Sequence, residues 1–270
     1  MWVFDDGSLE AGDIERLGEA LGDFRYVSRQ EADDRTSTPL SGLPHLRSYR
    51  LQGALAYKLT DIPFFFPEGF TFVDSDILFT RPFKGVVNRS DCSFSNRFME
   101  DEDDDYSIPA YRRGWASPRG IMLIPRINSG LFDVTKDFYE PSFVDWFVQY
   151  VLVADYHPWF LEQTTYSALA ARSSSAYFDQ RQVRLPCHAR LGYVPVAIHF
   201  MTSYRHLLFD SHYRAMLAGI RETMTDSIER VRVSGCPSDS FSAAVLRAIL
   251  KRYRRRFRYP GSPPRVYNNL

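Results

Sequence analysis

The stretch Phe70-Thr-Phe-Val-Asp-Ser-Asp-Ile-Leu-Phe79 decides the fold. Phe70 to Val73 has the composition of a buried strand, ending on Asp74-Ser75-Asp76 before Ile77-Leu78-Phe79 resumes the apolar pattern. Two carboxylates in such a flank cost several kcal/mol unless a metal or hydrogen-bond donors compensate. Side chains two residues apart in an extended segment point the same way. Asp74 and Asp76 are therefore read as converging on a hard divalent cation that keeps positions open for phosphate oxygens. The plainer alternative is a pair of strand-end carboxylates capping nearby amides. Two further Asp-x-Asp triplets, Asp101 to Asp103 and Asp103 to Asp105, lie within the acidic run Glu100–Asp105, which reads as a solvated loop.

Working outward, residues 2–4 read as a short buried strand running into the turn Asp5-Asp6-Gly7-Ser8. Leu9, Ile14, Leu17 and Leu21 then space an amphipathic helix, with Ser8 as N-cap and Gly22 just past its end. Phe24 to Val27 reads as a second strand, giving a strand–helix–strand unit of α/β type. Glu31 to Ser41 reads as polar loop and Leu46 to Leu59 as helix. Gly120 to Ile127 reads as a buried strand leading into Asn128-Ser129-Gly130, whose small side chains suit the close approach of a ligand. Phe143–Val153 and Glu162–Ala171 read as helices. Glu162-Gln163 opens the second of these, placing a carboxylate and an amide together. Val194–Phe200 is a late strand carrying His199 at its end, where a neutral imidazole suits a metal site. For Asn128-Ser129-Gly130 and Glu162-Gln163 turn chemistry or helix-start preference is the plain alternative, and for His199 an ordinary satisfied histidine.

The chain has 270 residues, 44% hydrophobic and 24% charged, the balance of a globular protein with a real core. No window approaches the roughly 18 uninterrupted apolar residues of a membrane span. The start has no signal-peptide pattern. Three scattered cysteines, Cys92, Cys187 and Cys236, encode neither a disulfide framework nor a zinc knuckle, so a cytoplasmic location is expected. The formal net charge is zero, yet eight of the 33 basic residues fall within 247–270, which holds no acid. Residues 1–246 thus carry 25 basic against 33 acidic residues, a net of −8.

The ordered set Lys58 on a helix, FVDSDILF, INSGLF, LEQTTYSAL and IHF resembles the GT-A glycosyltransferases, above all the family-eight, glycogenin-like and bacterial galactosyltransferase type. The resemblance covers about residues 2–206. It implies a Rossmann-type mixed sheet flanked by helices. It also implies a Mn²⁺ (or Mg²⁺) ion held by Asp74, Asp76 and His199 against the diphosphate of a nucleotide-sugar, a UDP-sugar being favoured. Lys58, with Ser75 in the motif, would reach the donor. Asn128 and Gln163 match positions facing donor sugar and acceptor, the acceptor being a saccharide or a lipid-linked one. Glu162 is the available base for an inverting reaction. The family's Lys-Pro-Trp element is replaced by Met201-Thr-Ser-Tyr-Arg205, leaving Arg205 as a looser phosphate partner. WVFDDGSL matches the family's second strand, so its first strand and helix, which bind the nucleobase, are expected to be missing.

Two other classes compete. Phe4-Asp5-Asp6-Gly7-Ser8-Leu9 is similar to the strand-end motif of aspartate-nucleophile phosphatases, but its aspartates are adjacent rather than two apart. A non-catalytic relative that keeps the fold and binds a partner is the other. The chain divides into a catalytic domain over 1–236 and a basic amphipathic helix and tail over 237–270. Phe241, Leu246, Ile249, Leu250, Tyr253 and Phe257 form the apolar stripe of that helix among seven basic residues. It is expected either to pack on the body or to lie on an anionic membrane surface at the inner face. Nucleic acid is not an expected partner of so acidic a body.

Overall fold

The computed structural model describes residues 1–86, 94–102, 106–108, 122–153, 158–186, 195–201, 204–210 and 228–236, with isolated positions at 214, 218, 246, 249 and 250. The chain is mixed α/β. Strand β1 (Trp2–Phe4), helix α1 (Ala11–Leu21) and strand β2 (Arg25–Val27) form the expected unit, β1 and β2 pairing in parallel, although β1 is exposed at Trp2 and only half-buried beyond it. Glu10, not Ser8, caps α1, because Asp13 completes a reciprocal capping box with it.

The polar stretch read as loop is instead helix α2 (Arg29–Ser37). A helix without an apolar face needs local pairs to hold it. Ser28 Oγ accepts from Glu31 N–H at 3.1 Å, and Arg29 pairs with Asp33 at 3.0 Å. Arg29 and Arg50 both reach the buried carboxylate of Asp61, whose pKa is pushed up to about 6 by burial despite the Arg29 charge. The single helix expected over Leu46–Leu59 is two, α3 (Pro44–Arg50) and α4 (Ala54–Thr60), broken at Gly53, where φ is 120°. Helix α5 (Ile62–Phe65) follows, and its Phe65 with Phe66 meets Trp2 and Phe4 edge to face, tying the N-terminal unit to the body.

Strands β3 (Gly69–Val73) and β4 (Ile77–Phe79) flank Asp74-Ser75-Asp76. After β5 (Phe83–Lys84) come β6 (Asn96–Glu100), β7 (Ile127–Thr135), α6 (Pro141–Val153), α7 (Leu161–Ala170), β8 (Ser175–Phe178), β9 (Val183–Arg184), β10 (Ala197–His199), β11 (Glu229–Arg230) and β12 (Val233–Gly235). The main sheet has the order β12-β8-β6-β7-β3, and a smaller one the order β4-β10-β9. Strand β7 runs against both its neighbours, while β8 is parallel to β6.

Successive residues of a strand serve opposite faces. Phe98 and Phe132 face the core made with α3, α4, α6 and α7, while Met99 and Leu131 face a second core shared with β9 and β10. The end of β3, the start of β7 and the end of β10 are joined by backbone hydrogen bonds, the Asp74 N–H to Gly130 O and the Phe200 N–H to Asp76 O.

Candidate metal centre

Asp74 and Asp76 converge because they lie in a tight turn, not because the strand continues. The Ile77 N–H donates to Asp74 O at 3.1 Å, and the Asp74 N–H donates to Gly130 O at 2.8 Å. Ser75 stands exposed at the turn's tip. Strand β10 pairs antiparallel to β4, setting His199 opposite Ile77, and the Phe200 N–H donates to Asp76 O at 2.9 Å. His199 Nε2 then lies 3.0 Å from Asp76 Oδ1 and 3.7 Å from Asp74 Oδ2. One ligand atom from each of the three residues falls within 4.8 Å of the others, so they form a possible metal-binding triad. Two carboxylates and an imidazole fit a divalent ion with open positions.

Asn128-Ser129-Gly130 does not follow a strand, as expected from sequence; it begins one. Residues 122–126 are not a strand, and the extended run starts at Ile127. Between Phe98 and Met99 the register with β7 slips, Phe98 facing Phe132 but Met99 facing Asn128. Such an irregularity re-aims side chains beside a site. Its three residues have separate tasks. The Asn128 Oδ1 lies 3.0 Å from His199 Nδ1, the Ser129 hydroxyl donates to Glu162 Oε2 at 2.9 Å, and Gly130 leaves room for the imidazole. A Cβ on Gly130 would stand 2.3 Å from His199 Cε1.

Positive charge sits beside each carboxylate. Lys58, in the last turn of α4, donates to Asp74 Oδ2 at 2.8 Å. Burial alone would lower its pKa, but the charges of Glu162 and Asp74 outweigh that and raise it. Arg205 donates to Asp76 Oδ2 through Nε at 3.0 Å and Nη2 at 2.9 Å while remaining largely exposed. Burial pulls the Asp76 pKa upward, and the hydrogen bonds and charges of His199 and Arg205 reverse it, so the net shift is downward. Glu162, only 5% exposed in the first turn of α7, has its pKa pushed up to about 7 by burial, against the lowering charge of Lys58. Its Oε1 is buried with no hydrogen-bond partner among the described residues. Gln163 is half-buried beside it.

The structure therefore brings Lys58, Asp74, Asp76, His199, Arg205, Ser129 and Glu162 into one cluster. Asn128, expected to face donor and acceptor, is 2% exposed with its amide committed inside the protein. The acidic run is not solvated throughout: Asp101 is buried and accepts from Asn128 Nδ2 at 3.0 Å, while residues 103–105 lie outside the described residues. The sequence signal for it is the apolar pair Phe98-Met99 a short step upstream, across Glu100. Asp5 is a turn anchor, its Oδ1 accepting from the Gly7 and Leu9 N–H groups and its Oδ2 from the Tyr26 hydroxyl. Compared with protein-family models, curated proteins and solved structures, the chain matches none.

Proposed function

We propose that this chain is a metal-dependent glycosyltransferase of GT-A type, moving a sugar from a nucleotide-sugar, with a UDP-sugar favoured, to a saccharide or lipid-linked acceptor. The observation that carries this reading is the convergence of Asp74, Asp76 and His199, from two sheet regions, with Lys58 and Arg205 at the same carboxylates. Mn²⁺ or Mg²⁺ held by the three residues would supply charge neutralisation for the departing nucleoside diphosphate. Lys58 and Arg205 add donors for the same phosphates. Glu162 is a fixed carboxyl able to exchange a proton near neutral pH, as the base of an inverting reaction requires. The remaining work of the protein is orientation of donor and acceptor.

The test is calorimetric titration of UDP-sugars into the chain with Mn²⁺, beside a mass-spectrometric screen of sugar nucleotides for nucleoside diphosphate release. Asp76→Ala is expected to abolish metal-dependent donor binding while the circular dichroism spectrum stays unchanged. Undiminished binding in that folded variant would sink the assignment. Binding without release in any donor–acceptor combination would favour a non-catalytic relative.

The proposal extends to the C-terminal segment as a membrane-surface helix. Leu246, Ile249 and Leu250 are helical, share one face by their spacing and are exposed, and the sequence around them is strongly basic.

A further inference from the structure

We propose that Asp101 and Asn128 form a positioning relay that sets the tautomer of His199. The inference rests on the reading of Asp74, Asp76 and His199 as a cation site, although the relay itself is a property of the chain alone. The Asn128 amide has four partners: its Nδ2 donates to Asp101 Oδ2 at 3.0 Å and to Met201 Sδ at 4.0 Å, its Oδ1 accepts from the Gly130 N–H at 2.9 Å, and Oδ1 lies 3.0 Å from His199 Nδ1. A rotated amide would set its NH2 against the Gly130 N–H and its oxygen against a carboxylate. Two mismatches at a buried site exclude that orientation. The oxygen therefore faces the imidazole, and an amide oxygen only accepts. Nδ1 must carry the proton.

Nε2 is then the atom turned to Asp74 and Asp76, at 3.7 and 3.0 Å, where a cation would take the place of a proton shared with Asp76. A cation-ligating histidine commonly has its second nitrogen bound by a carboxylate or carbonyl, which fixes the ring and its tautomer. Here an amide stands between imidazole and carboxylate, carrying the preference of Asp101 to His199. Asp101 is held in turn, its Oδ1 accepting from the Glu102 N–H at 2.7 Å. Gly130 completes the seat, since its missing side chain is the space the ring occupies. Asn128 and Asp101 are thus positioning residues and do not touch substrate.

The experiment uses the full chain labelled with ¹⁵N-histidine, at neutral pH. Two-bond ¹⁵N–¹H correlation spectra report which nitrogen is protonated, the His199 signals being assigned by their loss in His199→Gln. The wild type is expected to show Nδ1 protonated, whether or not Nε2 shares a proton with Asp76. In Asp101→Asn the Glu102 N–H retains the amide oxygen, so the new NH2 meets that of Asn128 and His199 moves toward the Nε2–H form. Asn128→Ala is expected to do the same. Mn²⁺ affinity, read by electron paramagnetic resonance, is expected to fall by about tenfold or more in both. Should Asn128→Ala fail to fold, the isosteric Asp101→Asn carries the test. A wild type with Nδ1 unprotonated, or a folded Asp101→Asn chain with Nδ1 protonation and affinity unchanged, overturns the relay. The expected tautomers with no Mn²⁺ binding by the wild type would support the relay and sink the cation site instead.

Discussion

At the residue scale, Glu162 and Gly130 show how burial converts a single side chain, or its absence, into a measurable property. Glu162 sits among Lys58, Asp74, Ser129, Tyr49 and Tyr166 with its pKa raised from 4.5 to about 7. An acid with a raised native pKa holds its proton longer folded than unfolded, so the protonated form's stabilisation is complete below pH 4.5 and fades as pH rises through 7. Urea unfolding at pH 5 and pH 8 should therefore show the wild type losing roughly 1–3 kcal/mol relative to Glu162→Gln over that interval. Parallel curves for the two chains would show the carboxyl to be ionised throughout. For Gly130, a methyl group would overlap the His199 ring, with ring atoms 2.3 to 2.9 Å from the new carbon. Gly130→Ala is expected to lower stability by about 1–3 kcal/mol. Its Mn²⁺ affinity should fall at least about tenfold. Thermal melts with Mn²⁺ titration check both, and a variant that binds Mn²⁺ as the wild type does would mean that the ring has another seat.

At the element scale, helices are stabilised by groups distant in sequence. The short α3 has no capping side chain of its own, and its N-terminus is satisfied by Asp145 of α6, which accepts from the His45 and Leu46 N–H groups at 2.9 and 2.8 Å. Both bonds cross about 100 residues of chain. A carboxylate there also opposes the positive end of the helix dipole. Asp145→Ala should cost about 1–2 kcal/mol of unfolding free energy. A change within a few tenths of a kcal/mol in denaturant titration would mean that water replaces the carboxylate at no loss. Helix α3 contributes Leu46 and Tyr49 to the main core, so the penalty should appear in global unfolding rather than as local fraying. Strand β7 makes the complementary point. Its Phe132 stacks on Phe72 at 5.2 Å and Phe98 at 5.8 Å between ring centroids, anchoring the strand whose first residues line the candidate metal centre.

At the scale of the whole molecule, an acidic body is joined to a basic C-terminal stretch. Among the described residues no helix is long and apolar enough to cross a membrane. A surface helix needs only one apolar stripe and nearby positive charge, worth about 1 kcal/mol per basic residue at an anionic surface. The full chain is expected to co-sediment with liposomes rich in anionic lipid and to be released as salt screens the attraction. A variant ending at Pro237 should stay in the supernatant. Equal sedimentation of both forms, or none by either at low salt, would leave the stripe without a membrane role.

Local pattern made much of this protein legible. The strand ending in Asp74-Ser75-Asp76, the N-terminal strand–helix–strand unit, Lys58 on a helix, His199 at a strand end and the two helices α6 and α7 all follow from alternation, periodicity and capping within a few residues. The helix over Arg29–Ser37 was hidden because ion pairs, some to distant Asp61, replace an apolar face. The strand holding Asn128-Ser129-Gly130 was misplaced because its irregular register is set by β6 and β3 rather than by its own composition. Asp101 looked like one more solvated charge until its partner, 27 residues away, was in place. Residue types and short spacings determined which groups could do chemistry. Tertiary structure alone decided which of them meet, since the bonds between Asn128 and His199 and between Asp76 and Arg205 span 71 and 129 residues, and only a folded core holds such separations to 3 Å.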